Sequence, residues 1–420
     1  MRIPRALSLA PLRVSCLALA AVASLSHAEE PARLAPILQP FVDRHIIAGA
    51  VVLVANADKV LDVETVGYES LKDQTPMRKD DLFWIASMTK SFTSTALMML
   101  VDEGKVKIDD PVEKYLPEFK GQKVAGATPE EAPHAPQHPI TIKEILSHTS
   151  GVITPKGIKE TYVLKDNVAQ IAAAPLVREP STKYEYNNSG IDTAGRIIEV
   201  VSGQPYADFM QERIFTPLGL KDTTFWPTPE QGQRIARAVR LTADKSTVEQ
   251  VDQAKELTPE GLAKLSEGMP VPASVIAEMG RGKVLDYVHH YAMPAGGLFS
   301  TAADVGRFCQ MILNGGTWEG RRYLSAEAIH QMTSNQLGSI PLSPDEAYGL
   351  GWSVMIKDTE GPSVGSFGHR GARRTAMWVD PKNHLVMVVL IERFDMPGNE
   401  QKEFYGAFLK GAIERFGTAH

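Results

Sequence analysis

Strand-like runs stand at both ends of this chain, with helical pattern and loop between them, and that placement constrains the fold more than any other feature. Near the start, "GAVVLVANADKVLDVETVGYES" (residues 49–70) reads as two β-rich segments joined by a turn at "ANADK", which makes a hairpin. Near the far end, "YGLGWSVMI", "TAMWVDPKN" and "HLVMVVLIE" are further runs of this kind, broken by Gly, Pro and Asn. The middle is helical pattern and loop: Ser87 to Gly104, Ile140 to Ser147 and Gly190 to Gly203 each read as a helix. Helices are also expected over "ARLAPILQPFVDRHI" and over the last amphipathic segment, "NEQKEFYGAFLKGAIERF". The expectation is an α+β fold in which one sheet, made from both ends, is interrupted by an inserted helical domain. Residues 29–86 and 291–420 form the sheet-bearing part and 87–290 the helical part. The stretch 121–139, rich in Pro, Ala and Gly, reads as a surface loop, and 228–290 as a variable, lid-like region.

The 420 residues, 43% hydrophobic and 22% charged, suffice for a large core. Residues 1–28 carry Arg2, Arg5 and Arg13 without an acid, then the apolar "VSCLALAAVASL", then small residues before Glu29. This is the pattern of an export signal, and the apolar run is short for a membrane span. A secreted or periplasmic location follows as an expectation. Its removal takes three basic residues from a chain of formal charge -6, and such acidity disfavours nucleic acid or anionic membranes as partners. Of the two cysteines only Cys309 would remain, so neither an internal disulfide nor a cysteine-built zinc site is expected.

Three short stretches have the makings of a reactive site. In "SMTK", Ser87 precedes Lys90 by three residues at the start of a predicted helix, which puts the two side chains on one face. A serine needs a base to become a nucleophile, and Phe83, Trp84, Ile85, Met88 and Phe92 are placed to desolvate the lysine and lower its pKa. The helix start also offers backbone N–H groups to a developing oxyanion. Ser-x-x-Lys is common on solvated helices, but in this chain no other serine has a lysine at that spacing. In "KYEYNNSG", Tyr186 is a candidate proton shuttle, its phenol expected to ionise more readily beside a lysine cation, and Asn188 a candidate amide for a substrate carbonyl. Alone, the stretch reads better as a polar turn with a buried tyrosine. In "SFGHRGARRTAMWVD", alternation puts His369 and Gly371 on one strand face. Gly371 would admit a ligand closely, Ala372 would offer a second oxyanion N–H, and His369 a donor whose charge depends on pH.

In order, "SMTK", "YNN" and "HRG" resemble the S-x-x-K, Y-x-N and K-T-G or H-x-G elements of the serine β-lactamase and penicillin-binding-protein superfamily, most of all its class C branch and the related family VIII carboxylesterases. "ILSHTSG" (145–151), "IFTPLGLKDTTF" and "PAGGLFSTAADVGRF" (294–308) resemble further segments of that family, so the likeness runs from about Ala32 to Phe416. The resemblance implies an antiparallel sheet flanked by helices plus a helical domain. It also implies Ser87 as nucleophile, Lys90 as its base or proton partner, Tyr186 as general base and acid, and Asn188 as a substrate-positioning group. The Ser87 and Ala372 N–H groups would form the oxyanion hole of an acyl-enzyme pathway that needs no metal or organic cofactor.

Two departures from the family pattern stand out. His369-Arg370-Gly371 replaces Lys-Thr-Gly, which removes the permanent cation that meets a β-lactam carboxylate, unless Arg370, Arg373 or Arg374 restores it. Ser181 stands where relatives often have glycine. The leading expectation is an esterase for small acyl esters. The alternatives are a β-lactamase or D-alanyl peptidase acting on β-lactams or cell-wall peptides, and a non-catalytic penicillin-sensing module. "GPSVG" (361–365) matches the G-x-S-x-G pattern with Ser363 as nucleophile, but a strand and not a helix is expected after it, so a hairpin turn is the preferred reading. The pair His289 and His290 has no matching ligands nearby in sequence and reads as loop.

Overall fold

Every residue of β1 (Gly49–Ala55) is buried, which fits a central strand with a hydrophobic layer on each face. It pairs antiparallel with β2 (Val60–Ser70) on one side and with β8 (Leu385–Leu390) on the other, with Val51 opposite Leu390 and Ala55 opposite Val386. The first and last segments of the chain thus meet at the middle of one sheet. With β3 (Thr75–Pro76), β4 (Glu346–Tyr348), β5 (Ser353–Met355), β6 (Phe367–Arg370) and β7 (Ala376–Asp380), the eight-stranded antiparallel order is β4-β5-β6-β7-β8-β1-β2-β3. The structure, a computed structural model, describes Met1 and residues 33–251 and 292–417, apart from positions 127, 129, 160, 162 and 360. The expected leader beyond Met1, the His289–His290 pair and most of the 228–290 region lie outside the described residues.

Alternation along the strands sorts side chains into two cores. Ala50, Val52, Val54, Trp378, Met387 and Val389 pack with α1 (Ala35–Asp43) and α6 (Gly398–Phe416). Val51, Leu53, Met377, Val379, Val388 and Leu390 face the other way, toward α5 (Ala302–Leu313). The second cluster continues without a break into α2 (Thr89–Asp102), α3 (Ile142–Leu146) and α4 (Ser189–Ser202), where Leu97, Ile145 and Ile198 are fully buried. Burying each such aliphatic side chain contributes roughly 1.5–3 kcal/mol. The sheet and the helical insert are therefore bound into one apolar body, with β6 and α2 both bordering it.

The connections carry their own chemistry. Thr141 and Glu144 form a reciprocal capping box that starts α3. The Ser181 hydroxyl also donates to Glu144 Oε1, and Ser181 has φ +58°. That left-handed backbone accounts for the glycine expected at this position, and the bond to Glu144 offsets the strain of a side chain there. Within the 228–290 region, the described part holds a short hairpin, Val239–Leu241 with Val248–Gln250. Val239 hydrogen-bonds to Glu392 and Phe394, beside the end of β8. Among the described residues no helix is long and apolar enough to cross a membrane, and no group of three metal-ligating side chains occurs.

Candidate active site

Between Asp81 and Leu100 every residue is buried except Ser87, which is partly exposed. The backbone explains the exception. A short strand, Phe83–Trp84, pairs with Phe299–Ser300, and the chain then turns sharply at Ala86, whose φ is +45°. A non-glycine residue there costs about 1–2 kcal/mol, and the turn lifts Ser87 out of the apolar layer. Ser87 lies in a single 3-10 turn, Ala86–Met88, and α2 begins only at Thr89, two residues later than the sequence pattern placed it. The three-residue spacing still brings the side chains together, with Lys90 Nζ 3.2 Å from Ser87 Oγ.

Lys90 is fully buried. Its amino group donates to Asn188 Oδ1 at 2.8 Å and to the Ala295 carbonyl at 2.7 Å. Burial drives its pKa down, to about 7, against the opposing pull of Asp192 on α4. Asp192 Oδ1 also accepts the Ala295 N–H at 3.0 Å, so one carboxylate secures the peptide whose carbonyl holds the lysine. Asn188 was expected to offer its amide to substrate; its oxygen is committed to Lys90, and only its amide nitrogen can serve as the donor to a substrate carbonyl. Asp192 and Ala295 were missed in the sequence, although Ala295 lies in the recognised "PAGGL" segment.

Tyr186 sits at the opening, 43% exposed, with its phenol hydrogen-bonded to Ser87. Lys90 Nζ lies 4.8 Å from the centre of its ring. The expectation that the lysine would help this phenol ionise is not met. Although much of the ring is open to solvent, desolvation at the phenol end raises Tyr186 to about 12, outweighing the Ser87 hydrogen bond, so the phenol holds its proton near neutral pH.

On the far wall, β6 packs against the Ser87 turn. A Cβ on Gly371 would lie 2.1 Å from Thr375 Oγ1 and 2.6 Å from the Ile85 carbonyl. The glycine therefore permits close approach to the chain itself, to the peptide just before the Ser87 turn, and not directly to a ligand. The Gly371 N–H bonds to the Thr375 carbonyl and the Arg374 N–H returns to Gly371, closing a tight turn around Ala372. Ala372 is exposed. Neither its N–H nor that of Ser87 is hydrogen-bonded among the described residues. His369 departs from expectation. Its Nδ1 faces the Arg370 carbonyl at 2.9 Å and its Nε2 the Tyr348 hydroxyl at 3.0 Å, leaving no ring nitrogen for a ligand. Burial, with Lys90 adding to it, lowers its pKa to about 3, so its charge does not vary near neutral pH.

None of the three nearby arginines replaces the missing cation. Arg370 turns to the opposite face, over the Trp378 ring, and pairs with Glu346 at 2.7 Å. Arg373 is buried over the rings of Phe394 and Trp84, 4.0 Å from Glu392. Arg374 reaches the Phe394 carbonyl. Ser363 lies in the connection between β5 and β6, with a strand after it. Its hydroxyl donates to Asp380 Oδ1 at 2.6 Å. Ser363→Ala is expected to leave ester turnover unchanged while lowering stability by about 1–3 kcal/mol, read by denaturant titration, because Asp380 loses a charge-assisted bond.

The Beta-lactamase family model matches residues 34–412, and the chain belongs to that family, one of serine hydrolases. It is 27% identical over 353 residues to the protein named "Putative D-alanyl-D-alanine carboxypeptidase" from Escherichia coli K12, covering 79% of this chain and 74% of that protein. It is 28% identical over 398 residues to the lovastatin esterase of Penicillium rubens, covering 84% and 91%. Among solved structures, EstCE1, a hydrolase with promiscuous acyltransferase activity, superposes with a TM-score of 0.70 at 23% identity, over 91% of this chain and 97% of that one. This last likeness supports the fold.

Proposed function

We propose that this protein hydrolyses small acyl esters through an acyl-enzyme on Ser87, with Lys90 as base, Tyr186 as proton donor and acceptor, and the Ser87 and Ala372 N–H groups as oxyanion hole. One observation carries the reading. Two of the three acceptors around Lys90 Nζ are carbonyl oxygens, which cannot donate. When the amine is neutral its two hydrogens go to them, and its lone pair is left facing Ser87 Oγ. The amine takes the serine proton as Oγ bonds to the ester carbon, and the two N–H groups receive the negative oxygen. As the tetrahedral centre collapses, Tyr186 gives its proton to the departing alkoxide, and the Lys90 ammonium, which lies beside the Tyr186 ring, returns a proton to the phenolate. Water then repeats the sequence on the acyl-enzyme and releases the acid.

Esters are favoured over β-lactams because no arginine of the "HRGARR" segment is free to meet a carboxylate and His369 is neutral. The lovastatin esterase relative points the same way. Export through residues 1–28, to a secreted or periplasmic location, belongs to this reading on the strength of the leader pattern. A paired assay with p-nitrophenyl butyrate and a chromogenic cephalosporin tests it. Ester turnover with cephalosporin turnover at least about 10²-fold slower is expected. Faster cephalosporin hydrolysis gives the lactamase reading instead, and labelling without turnover of either gives a sensor.

A further inference from the structure

Behind Tyr186 lies a buried line of three polar rings that the proposed chemistry does not use. The Tyr348 hydroxyl stands between two imidazoles, 3.0 Å from His369 Nε2 and 3.3 Å from His148 Nε2. All three side chains are buried, and the His148 ring centre is 4.6 Å from that of Tyr186. The protons on this line can be assigned from one end. The Arg370 carbonyl can only accept, so His369 Nδ1 carries the hydrogen that meets it. His369 Nε2 then holds a lone pair, and Tyr348 donates its single hydrogen there. The Tyr348 oxygen is left to accept, so His148 carries its hydrogen on Nε2. His148 Nδ1 ends the line as a lone pair with no hydrogen-bond partner. Burial keeps both imidazoles neutral, and the charge of Lys90 reinforces this.

We propose that Tyr348 is a positioning residue that commits His369 to the neutral Nδ1–H form, so that the wall beside Ser87 presents no positive charge and the site takes acyl groups that lack a carboxylate. This deepens the esterase reading and rests on it. With the hydroxyl removed, His369 Nε2 loses the donor that stabilises its lone pair, and protonation becomes easier. The charged and titratable groups around His369 are Lys90 on α2, Tyr184 and Tyr186 before α4, His148 after α3, Arg370 on β6 itself, and Glu346 with Tyr348 on β4. Of these, Glu346 is tied to Arg370, the tyrosines stay protonated, and Lys90 acts with burial to keep His369 neutral; Tyr348 adds the hydrogen-bond donor that meets Nε2 directly.

Two measurements test this. In ¹⁵N imidazole spectra of the wild-type protein, with His148→Asn and His369→Asn used for assignment, His369 is expected as Nδ1–H and His148 as Nε2–H, neither titrating between about pH 5 and 8. The opposite tautomers, or titration of either ring, overturn the proposal whether or not esters are turned over. In Tyr348→Phe and in wild type, the ratio of kcat/KM for mono-p-nitrophenyl glutarate to that for p-nitrophenyl butyrate is followed against pH; the charge of Lys90 acts on the ratio in both proteins and cancels when the variant's ratio is divided by that of wild type. That quotient is expected to rise about fivefold from pH 8 to 5.5. A quotient that stays flat refutes the link between Tyr348 and acyl-group charge. Absence of turnover with either ester in wild type refutes the esterase reading alone, and the spectra still decide the proton assignment.

Discussion

Ser87→Ala is expected to lower kcat/KM for p-nitrophenyl butyrate by at least about 10⁴-fold, because no acyl-enzyme can form without the attacking oxygen. The fold should survive the change. Ser87 alone is partly exposed in the stretch from Asp81 to Leu100, and its hydroxyl supports no backbone group. A thermal midpoint within a few degrees of wild type is expected, so that loss of turnover cannot be ascribed to unfolding. Whatever activity remains would come from the N–H pair and from substrate binding. A variant that keeps more than about a tenth of wild-type turnover would mean that another group attacks.

Lys90→Met is expected to cost about 10³-fold in kcat/KM, the range of a lost general base. Methionine keeps much of the length and the apolar contacts of the stem but carries no lone pair to accept the serine proton. The wild-type pH profile gives an independent reading. Burial brings the lysine down to about 7, and the neutral amine is the active form. Activity should therefore rise about tenfold per pH unit below 7 and level off above it. Tyr186, held up near 12 by burial, predicts no loss on the alkaline side below about pH 10. A profile flat from pH 5 to 9 would remove Lys90 from the role of base.

Much of this arrangement was legible in the sequence, and the reasons are local. β1, β7 and β8 announce themselves because β-branched and apolar residues fill both buried faces, and the Gly203 stop after α4 shows as a left-handed glycine, φ +74°. The "YGLGWSVMI" run is not one strand: it holds the end of β4, a turn and β5. Gly351 has φ +76°, and a Cβ at Gly349 would lie 2.0 Å from the Met332 carbonyl, so the chain turns there against its own packing. Ser87 and Lys90 were legible because one turn of chain sets their distance.

The remainder depends on contacts between distant residues. Tyr348 meets His148 across 200 positions and His369 across 21, and no periodicity encodes such a meeting. The direction of the Tyr186 shift was misjudged for a related reason. Proximity to a cation was visible from the motif, whereas the burial that outweighs it depends on the packing of the whole site. The commitment of His369 and of the three arginines to internal partners likewise belongs to tertiary structure.

The most direct test of the account is the site of the covalent adduct. The enzyme is mixed with p-nitrophenyl butyrate, quenched in acid within the first turnovers and digested with trypsin, and the peptide Asp80–Lys90, "DDLFWIASMTK", is sequenced by tandem mass spectrometry. The account predicts a butyryl group on Ser87, absent from Ser87→Ala. A butyryl group on Ser363, or on any peptide other than Asp80–Lys90, with Ser87 unmodified, would contradict it.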